Sequence, residues 1–360
     1  MAPNILIVRF SSIGDLLLTT PLLRAIRARH PEARITFLVR EDMAETVRHN
    51  ARIDEVVTWR RGTPLTDLAN QLREQEWTHR LDLHCSLRSY RLRRMVGGRW
   101  HGYPKHRIRR QLLITTHGKF GGNLGHVAER YFEAARGLDV SPDGGPPEFF
   151  TSQAGEAEAT AFLAANDVGQ HRPLYAFAPG AAHFTKRWPE AHWIRLATAF
   201  GPDHDLVILG GKGEEKVGVE IAGATGGRAV NAAGRFNLDV NAAILKRAQL
   251  LVVGDTGLLH LATAVGTPVV GLYGPTVEAF GFFPYHAQAV AVQHDLPCRP
   301  CSAQGGAKCP LGHHDCLVRL TPEEVLASIP LVLREARDLK SQRSIDSGGP
   351  SPAAQDEEVS

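Results

Sequence analysis

The stretch Gly254-Asp255-Thr256-Gly257-Leu258-Leu259-His260-Leu261-Ala262-Thr263-Ala264-Val265-Gly266-Thr267-Pro268 decides how this chain is read. It follows Leu250-Leu251-Val252-Val253, an apolar run with the length and β-branching of a buried strand. A helix-compatible run begins at Thr256, and Gly266 with Pro268 stops it. A strand that turns abruptly into a helix presents free backbone N–H groups and the positive end of the helix dipole, a seat for a phosphate-like anion. Asp255, Thr256 and Gly257 form that turn. His260 follows Gly257 by three residues and Thr256 by four, so it shares their side of the helix and can offer a donor to a diphosphate. The competing reading is an ordinary strand–turn–helix in which Asp255 caps its own helix and His260 sits in the core.

Outward from this stretch the chain alternates strand and helix. Strands are expected at 4–10, 34–39, 54–58 and 79–83, with helices after residue 15, at 65–75 and at 125–137. Pro21 splits or kinks the first helix. The segment 141–147, Ser-Pro-Asp-Gly-Gly-Pro-Pro, excludes regular structure and leads to a linker. The pattern then restarts after a helix at 155–165, with strands at 174–178, 206–209, 250–253 and 269–273 and helices at 189–200 and 239–248. Thr321-Pro322-Glu323-Glu324 opens a closing helix with a capping box. Two βα series imply an α/β protein of two doubly wound, Rossmann-like domains facing a central cleft. The expected division is 1–165, 166–339 and a disordered tail at 340–360, which holds almost nothing to bury.

Three further places can carry chemistry. Asp15 ends the first strand's turn and could act as a general base on a hydroxyl, although a helix start stabilises its carboxylate form. Lys186 and Arg187 follow the Pro179-Gly180 turn, where cations can neutralise a leaving diphosphate. Gly210-Gly211-Lys212-Gly213-Glu214-Glu215 follows a strand, and its glycines admit a ligand close to the backbone. Each has a plain alternative: a helix cap, a surface pair and a loop. Asp203-His204-Asp205 precedes its strand, away from the expected ligand edge, and is assigned to an ordinary loop. No metal constellation touches the proposed site. Cys298, Cys301, Cys309 and Cys316 crowd into nineteen residues and could close a structural zinc site.

These patterns resemble one family. The 255–268 stretch, continued by Val269-Val270-Gly271-Leu272-Tyr273-Gly274-Pro275-Thr276, is similar to the nucleotide-binding signature of the lipopolysaccharide heptosyltransferases, glycosyltransferase family 9. Arg9-Phe10-Ser11-Ser12-Ile13-Gly14-Asp15 resembles the N-terminus of the same family, and the resemblance extends to Gly125 to Arg130, Lys186-Arg187-Trp188-Pro189, and Asn231-Ala232-Ala233-Gly234. The resemblance implies a GT-B fold and an inverting transfer of heptose from ADP-L-glycero-D-manno-heptose to the inner core of lipopolysaccharide. By it, Asp15 is the base and Lys186 the main phosphate contact, joined by Arg187. Glu214, or else Glu215, holds the ribose. Asp255, Thr256, Gly257 and His260 complete the donor site, while Ser12, Arg88 and Ser89 meet the acceptor. Ala181 and Ala182 replace the family's usual hydroxyl residues after the Pro-Gly turn. The alternatives are another GT-B nucleotide-sugar enzyme, with a different donor or an epimerase activity, and a non-catalytic nucleotide-binding protein.

Composition fits this reading. The chain has 360 residues and a formal charge of +3. Residues 88–110 hold nine Arg and Lys with no Asp or Glu, and subtracting nine from +3 leaves the remainder at −6. A cationic patch on an acidic body points to an anionic partner. The candidates are a phosphorylated glycolipid or a sugar acid, since no nucleic-acid motif is present. No run reaches the length of a membrane span, and Ile5-Leu6-Ile7-Val8 is too short for a signal-peptide core. The expected location is therefore the cytoplasm, peripherally bound to the inner membrane, with an ADP-sugar donor and no required cofactor.

Overall fold

The computed structural model describes residues 2–200 and 203–346. The first lobe is built on strands β1 (Asn4–Val8), β2 (Arg34–Arg40), β3 (Glu55–Trp59), β4 (His79–Asp82) and β5 (His101–Gly102). All pairings are parallel, in the order β3-β2-β1-β4-β5. Helices α1 (Ile13–Leu17), α2 (Thr20–Arg29), α3 (Glu45–Arg48), α4 (Leu65–Arg73), α5 (Leu87–Val96), α6 (Arg107–Thr115) and α7 (Val127–Phe132) cover it. Ile5, Leu6, Ile7 and Val8 are all fully buried. Unbroken apolarity, rather than alternation, follows from a parallel strand covered on both faces. Pro21 stands in the first turn of α2, so the expected split falls between α1 and α2.

The second lobe repeats the design with β6 (Leu174–Ala178), β7 (Asp205–Ile208), β8 (Ala229–Asn231), β9 (Leu250–Gly254), β10 (Val269–Tyr273) and β11 (Ala289–Gln293). Its parallel order is β11-β10-β9-β6-β7-β8. Its helices are α8 (Gln153–Ala165), α9 (Glu190–Ala199), α10 (Glu215–Gly223), α11 (Leu238–Arg247), α12 (Gly257–Ala264), α13 (Asp315–Val318) and α14 (Pro322–Asp346). The Thr321 hydroxyl accepts from the Glu324 N–H at 3.2 Å, and the Glu324 carboxylate returns to the Thr321 N–H at 2.7 Å, closing the capping box of α14. This is the GT-B architecture of two Rossmann-like lobes. Among the described residues, no helix is long and apolar enough to cross a membrane.

Two boundaries differ from the sequence reading. Ala159, Phe162 and Leu163 of α8 share a core with Val240, Ile244 and Leu261, which belong to the second lobe. We therefore place the division before α8, in 141–152, rather than at 165. Residues 340–346, expected as the start of a disordered tail, are helical, because α14 runs on to Asp346. Residues 347–360 lie outside the described residues.

Strand order fixes where a ligand can sit. In each sheet the strand order reverses beside the first strand, between β1 and β4 in one lobe and between β6 and β9 in the other. Loops leaving neighbouring strands on opposite sides of a sheet open a crevice at its carboxyl edge. The residues after β1, β4, β6 and β9 are thereby brought to one cleft.

Candidate active site

The first lobe contributes a fixed carboxylate. Asp15 lies in the first turn of α1, where Oδ2 accepts from the Ser12 N–H at 3.1 Å and from the Ser12 hydroxyl at 2.7 Å. Its Oδ1 meets the Arg9 guanidinium at 2.6 Å. Arg9 is itself buried and donates to the carbonyl of Leu83, just past β4, so it joins the two strand ends that flank the crevice. Burial alone would raise the Asp15 pKa, but the Arg9 charge and the Ser12 hydrogen bonds outweigh it and hold the carboxyl below its usual range.

The second lobe contributes an uncapped helix start. Thr256 occupies the N-cap of α12 with no side-chain capping bond, so no side chain competes for the free N–H groups of the first turn. Asp255 does not cap that helix. Its Oδ2 instead lies 2.6 Å from the Lys186 ammonium and accepts from the Thr276 hydroxyl at 2.8 Å. Lys186 closes a short turn after β6 and is aimed into the cleft by that pair. Gly254 is required behind it, since a Cβ there would stand 3.0 Å from the Lys186 carbonyl.

Glu214 reaches the same cavity. Its carboxylate accepts from the Gly211 N–H at 2.8 Å and lies over Gly180 and Gly210, where a Cβ would stand 1.8 Å and 2.5 Å away. Burial raises its pKa despite that hydrogen bond. Glu215 turns elsewhere, accepting from the Gly213 N–H at 2.7 Å and packing on Gly234.

The cavity between the lobes measures about 690 Å³. The structure brings Ser12, Asp15, Lys186, Glu214, Asp255, Thr256, Gly257 and His260 to its wall. Three other expected site residues are not brought there. Arg187 donates to the Ala181 carbonyl at 2.8 Å, bracing the Pro179-Gly180 turn from behind. Arg88 stacks on Trp59 at 4.7 Å from the ring centroid. The Ser89 side chain is buried and accepts from the Ser86 N–H at 2.8 Å, in the cap of α5. None of the three lines the cavity, although the Arg187 charge still acts on Glu214.

His260 is placed in the cleft but not as a ready cation. Its ring packs on Gly14, where a Cβ would fall 2.4 Å from the ring Cδ2. Burial lowers its pKa, although Asp255 and Asp15 oppose this. A neutral imidazole thus forms the floor where α1 meets α12, and its Nδ1 has no partner among the described residues.

Sequence reasoning missed Arg9, Tyr103, Lys105 and Arg110 as individual cavity residues. Lys105 has its ammonium 5.9 Å from the Tyr103 ring centroid. Burial and the nearby Arg9 push its pKa down to about 8. The signals were the place of Arg9 in the motif that ends at Asp15 and the membership of Lys105 and Arg110 in the acid-free run 88–110.

The four clustered cysteines do not form a metal centre here. Among the described residues, no three His, Cys, Asp or Glu side chains stand in a group able to hold an ion. Cys316 sits on α13 with its side chain in the core beside Leu317 and Trp188, and burial pushes its thiol up to about 11. Cys301, Cys298 and Cys309 add to that rise, so the four thiols lie within electrostatic reach of one another.

The model of glycosyltransferase family 9 (heptosyltransferase) matches residues 65–310. The chain belongs to this family. It is 24% identical over 350 residues to lipopolysaccharide heptosyltransferase 2 of Escherichia coli, covering 92% of this chain and 98% of that one. With lipopolysaccharide heptosyltransferase 1 of Pseudomonas aeruginosa it shares 28% over 319 residues, 83% of this chain and 86% of that protein. The family 9 fold is recovered in solved structures. A family 9 glycosyltransferase from Veillonella parvula superposes with a TM-score of 0.78 at 22% identity, covering 93% of this chain and 98% of that chain. The E. coli ADP-heptose lipopolysaccharide heptosyltransferase II gives 0.70 at 22% identity, covering 93% and 99%. The protein is a glycosyltransferase, and the cleft just described is its candidate active site.

Proposed function

We propose that this family 9 enzyme transfers heptose, with inversion, from ADP-L-glycero-D-manno-heptose to a sugar hydroxyl of the lipopolysaccharide inner core. The observation that carries the reading is the meeting, in one cavity, of a carboxylate from the first lobe with a cation and a free helix start from the second. The acceptor hydroxyl oxygen attacks the anomeric carbon and its proton passes to Asp15. The bond from that carbon to the β-phosphate oxygen breaks, and ADP leaves with the electron pair. Lys186 and the first turn of α12 meet the charge that grows on the diphosphate. Asp255 orients Lys186, and Glu214 accepts the ribose hydroxyls.

Asp15 is a weak base at rest, being paired with Arg9. The mechanism does not need a strong one, because the hydroxyl becomes acidic only as its bond to the sugar forms. On the acceptor side, Lys105 and Arg110 take the roles expected of Arg88 and Ser89, since they line the cavity and form no ion pair among the described residues. An anionic sugar acid or phosphate next to the reacting hydroxyl fits that cationic wall.

The acceptor is a glycolipid, so the enzyme works at the cytoplasmic face of the inner membrane, held peripherally by its basic segment 88–110. A cation near an anionic leaflet contributes about 1 kcal/mol. The test is incubation of the purified protein with ADP-heptose and lipopolysaccharides of graded truncation, followed by mass spectrometry. One added heptose on a single truncation supports the reading. Transfer from UDP-sugars alone would replace the donor, and release of a free epimerised sugar would replace the reaction.

A further inference from the structure

We propose that the surface of the first lobe formed by the starts of α5 and α6 and the loop after α6 docks on an anionic bilayer by inserting apolar side chains. This rests on the glycolipid reading above and adds the mode of contact. Leu87 is 80% exposed, Ile108 79%, Phe120 66%, Tyr90 52% and Leu112 42%. Five such side chains within one short segment exceed the scattered apolar exposure of an ordinary solvated surface.

The fold gathers them. Leu87 and Tyr90 are three residues apart on α5, and Ile108 and Leu112 four apart on α6, so each pair shares a helix face. The Arg107 guanidinium donates to the Cys85 carbonyl at 2.7 Å, fastening the start of α6 beside the start of α5. Phe120 is held at the end of α6 by its N–H bond to the Thr116 hydroxyl at 3.0 Å. The loop then folds back along the helix, where Arg109 donates to the carbonyls of Gly121 and Asn123, each at 2.9 Å.

Charge selects the occupant. Residues 83–128 contain no Asp or Glu. Not all of the cations are free: Arg88 is stacked, Arg107 and Arg109 brace the backbone, and Arg93 lies 3.6 Å from Asp82. Arg91, Arg94, Arg99 and Lys119 are exposed and form no side-chain hydrogen bond or ion pair among the described residues. Free cations around aliphatic tips match lipid headgroups over acyl chains, whereas a nucleic-acid backbone offers Leu87, Ile108 and Leu112 nothing to bury against. The same segment supplies Lys105 and Arg110 to the cavity wall. A glycolipid headgroup rising from the docked bilayer therefore enters beside them.

The test is flotation with vesicles of phosphatidylglycerol and phosphatidylcholine, about 3:7, against phosphatidylcholine alone. The parent should bind the anionic vesicles and keep a residual share at about 1 M salt, where charges are screened within about 3 Å. Ile108→Ser with Phe120→Ser should lower binding about tenfold and abolish the salt-resistant share. Arg91→Gln with Arg94→Gln should remove the salt-sensitive share. On a deacylated, water-soluble acceptor the Ser variant keeps the parental kcat/KM, while on a vesicle-embedded acceptor it falls about tenfold. Parental binding by the Ser variant overturns the proposal, as does equal capture of duplex RNA in place of vesicles. Flotation needs no sugar nucleotide, so an error in the donor or acceptor leaves this readout intact.

Discussion

The Asp15 carboxylate and the Arg9 guanidinium meet at 2.6 Å inside the first lobe, with Arg9 bridging the ends of β1 and β4. A base locked to a buried cation remains ionised at neutral pH and keeps one position. If Asp15 takes the acceptor proton, Asp15→Asn lowers kcat by roughly 10²–10⁴-fold. ADP affinity, measured by calorimetry, should not change. Transfer at the parental rate would remove Asp15 from the base role.

In the proposed mechanism Arg9 governs the pH at which Asp15 works as the base. Its charge opposes the effect of burial and depresses the Asp15 pKa. Arg9→Gln removes the attraction, so the acidic limb of the kcat/KM profile should move to higher pH, and Arg9→Lys should restore part of the shift. The stability from this pair is present above the unfolded Asp pKa of about 3.9 and is lost as pH falls through the lower folded value. An unmoved acidic limb in Arg9→Gln would show that another group titrates there.

Lys186 is held by Asp255 at 2.6 Å, next to the uncapped start of α12. Lys186→Ala should weaken ADP binding about tenfold to a hundredfold, as expected for a lost charge-assisted hydrogen bond. Asp255→Asn should weaken it less, because Thr276 and the helix start remain. Unchanged affinity in Lys186→Ala would take this side chain out of the diphosphate site.

Lys105 carries a pH signature. With its pKa pushed down to about 8, it loses charge in the free enzyme as pH rises through that value. The KM for an anionic acceptor should therefore climb above about pH 8, while the donor KM does not follow. Lys105→Arg, charged throughout, should flatten the climb. A pH-independent acceptor KM in the parent would place the acceptor elsewhere.

Gly180→Ala separates the site from the fold. The new Cβ would stand 1.8 Å from the Glu214 carboxyl, the movable end of a side chain rather than backbone. Glu214 should swing aside with little loss of stability. ADP affinity should fall about tenfold, the scale of one charge-assisted hydrogen bond, and the loss should shrink with an analogue lacking the ribose hydroxyls. A fall in melting temperature without a change in affinity would contradict the ribose role.

Elements with strong local signals were legible in the sequence. The strands at 174–178 and 269–273 coincide with β6 and β10, because short, continuous apolar runs need two covered faces. β5 has two residues and β11 is half-exposed, so neither stands out from loop sequence. Family resemblance likewise pointed to Asp15, Lys186 and the 255–257 turn. It also pointed to Arg187, Arg88 and Ser89, whose side chains are engaged in bracing a turn, stacking on Trp59 and capping a helix.

Sequence alone determined the two βα series, the strand-to-helix turn at 255–257 and the acid-free basic segment, since each depends on neighbours along the chain. Tertiary structure decided the rest. Arg9, paired with Asp15, reaches the Leu83 carbonyl, and Lys186 reaches Asp255 from 69 positions away, only because β1 lies beside β4 and β6 beside β9. Which cations face the cleft, and which brace backbone or face outward, was also settled there. A side chain's charge is written in the sequence, but its direction is fixed by packing against residues distant along the chain.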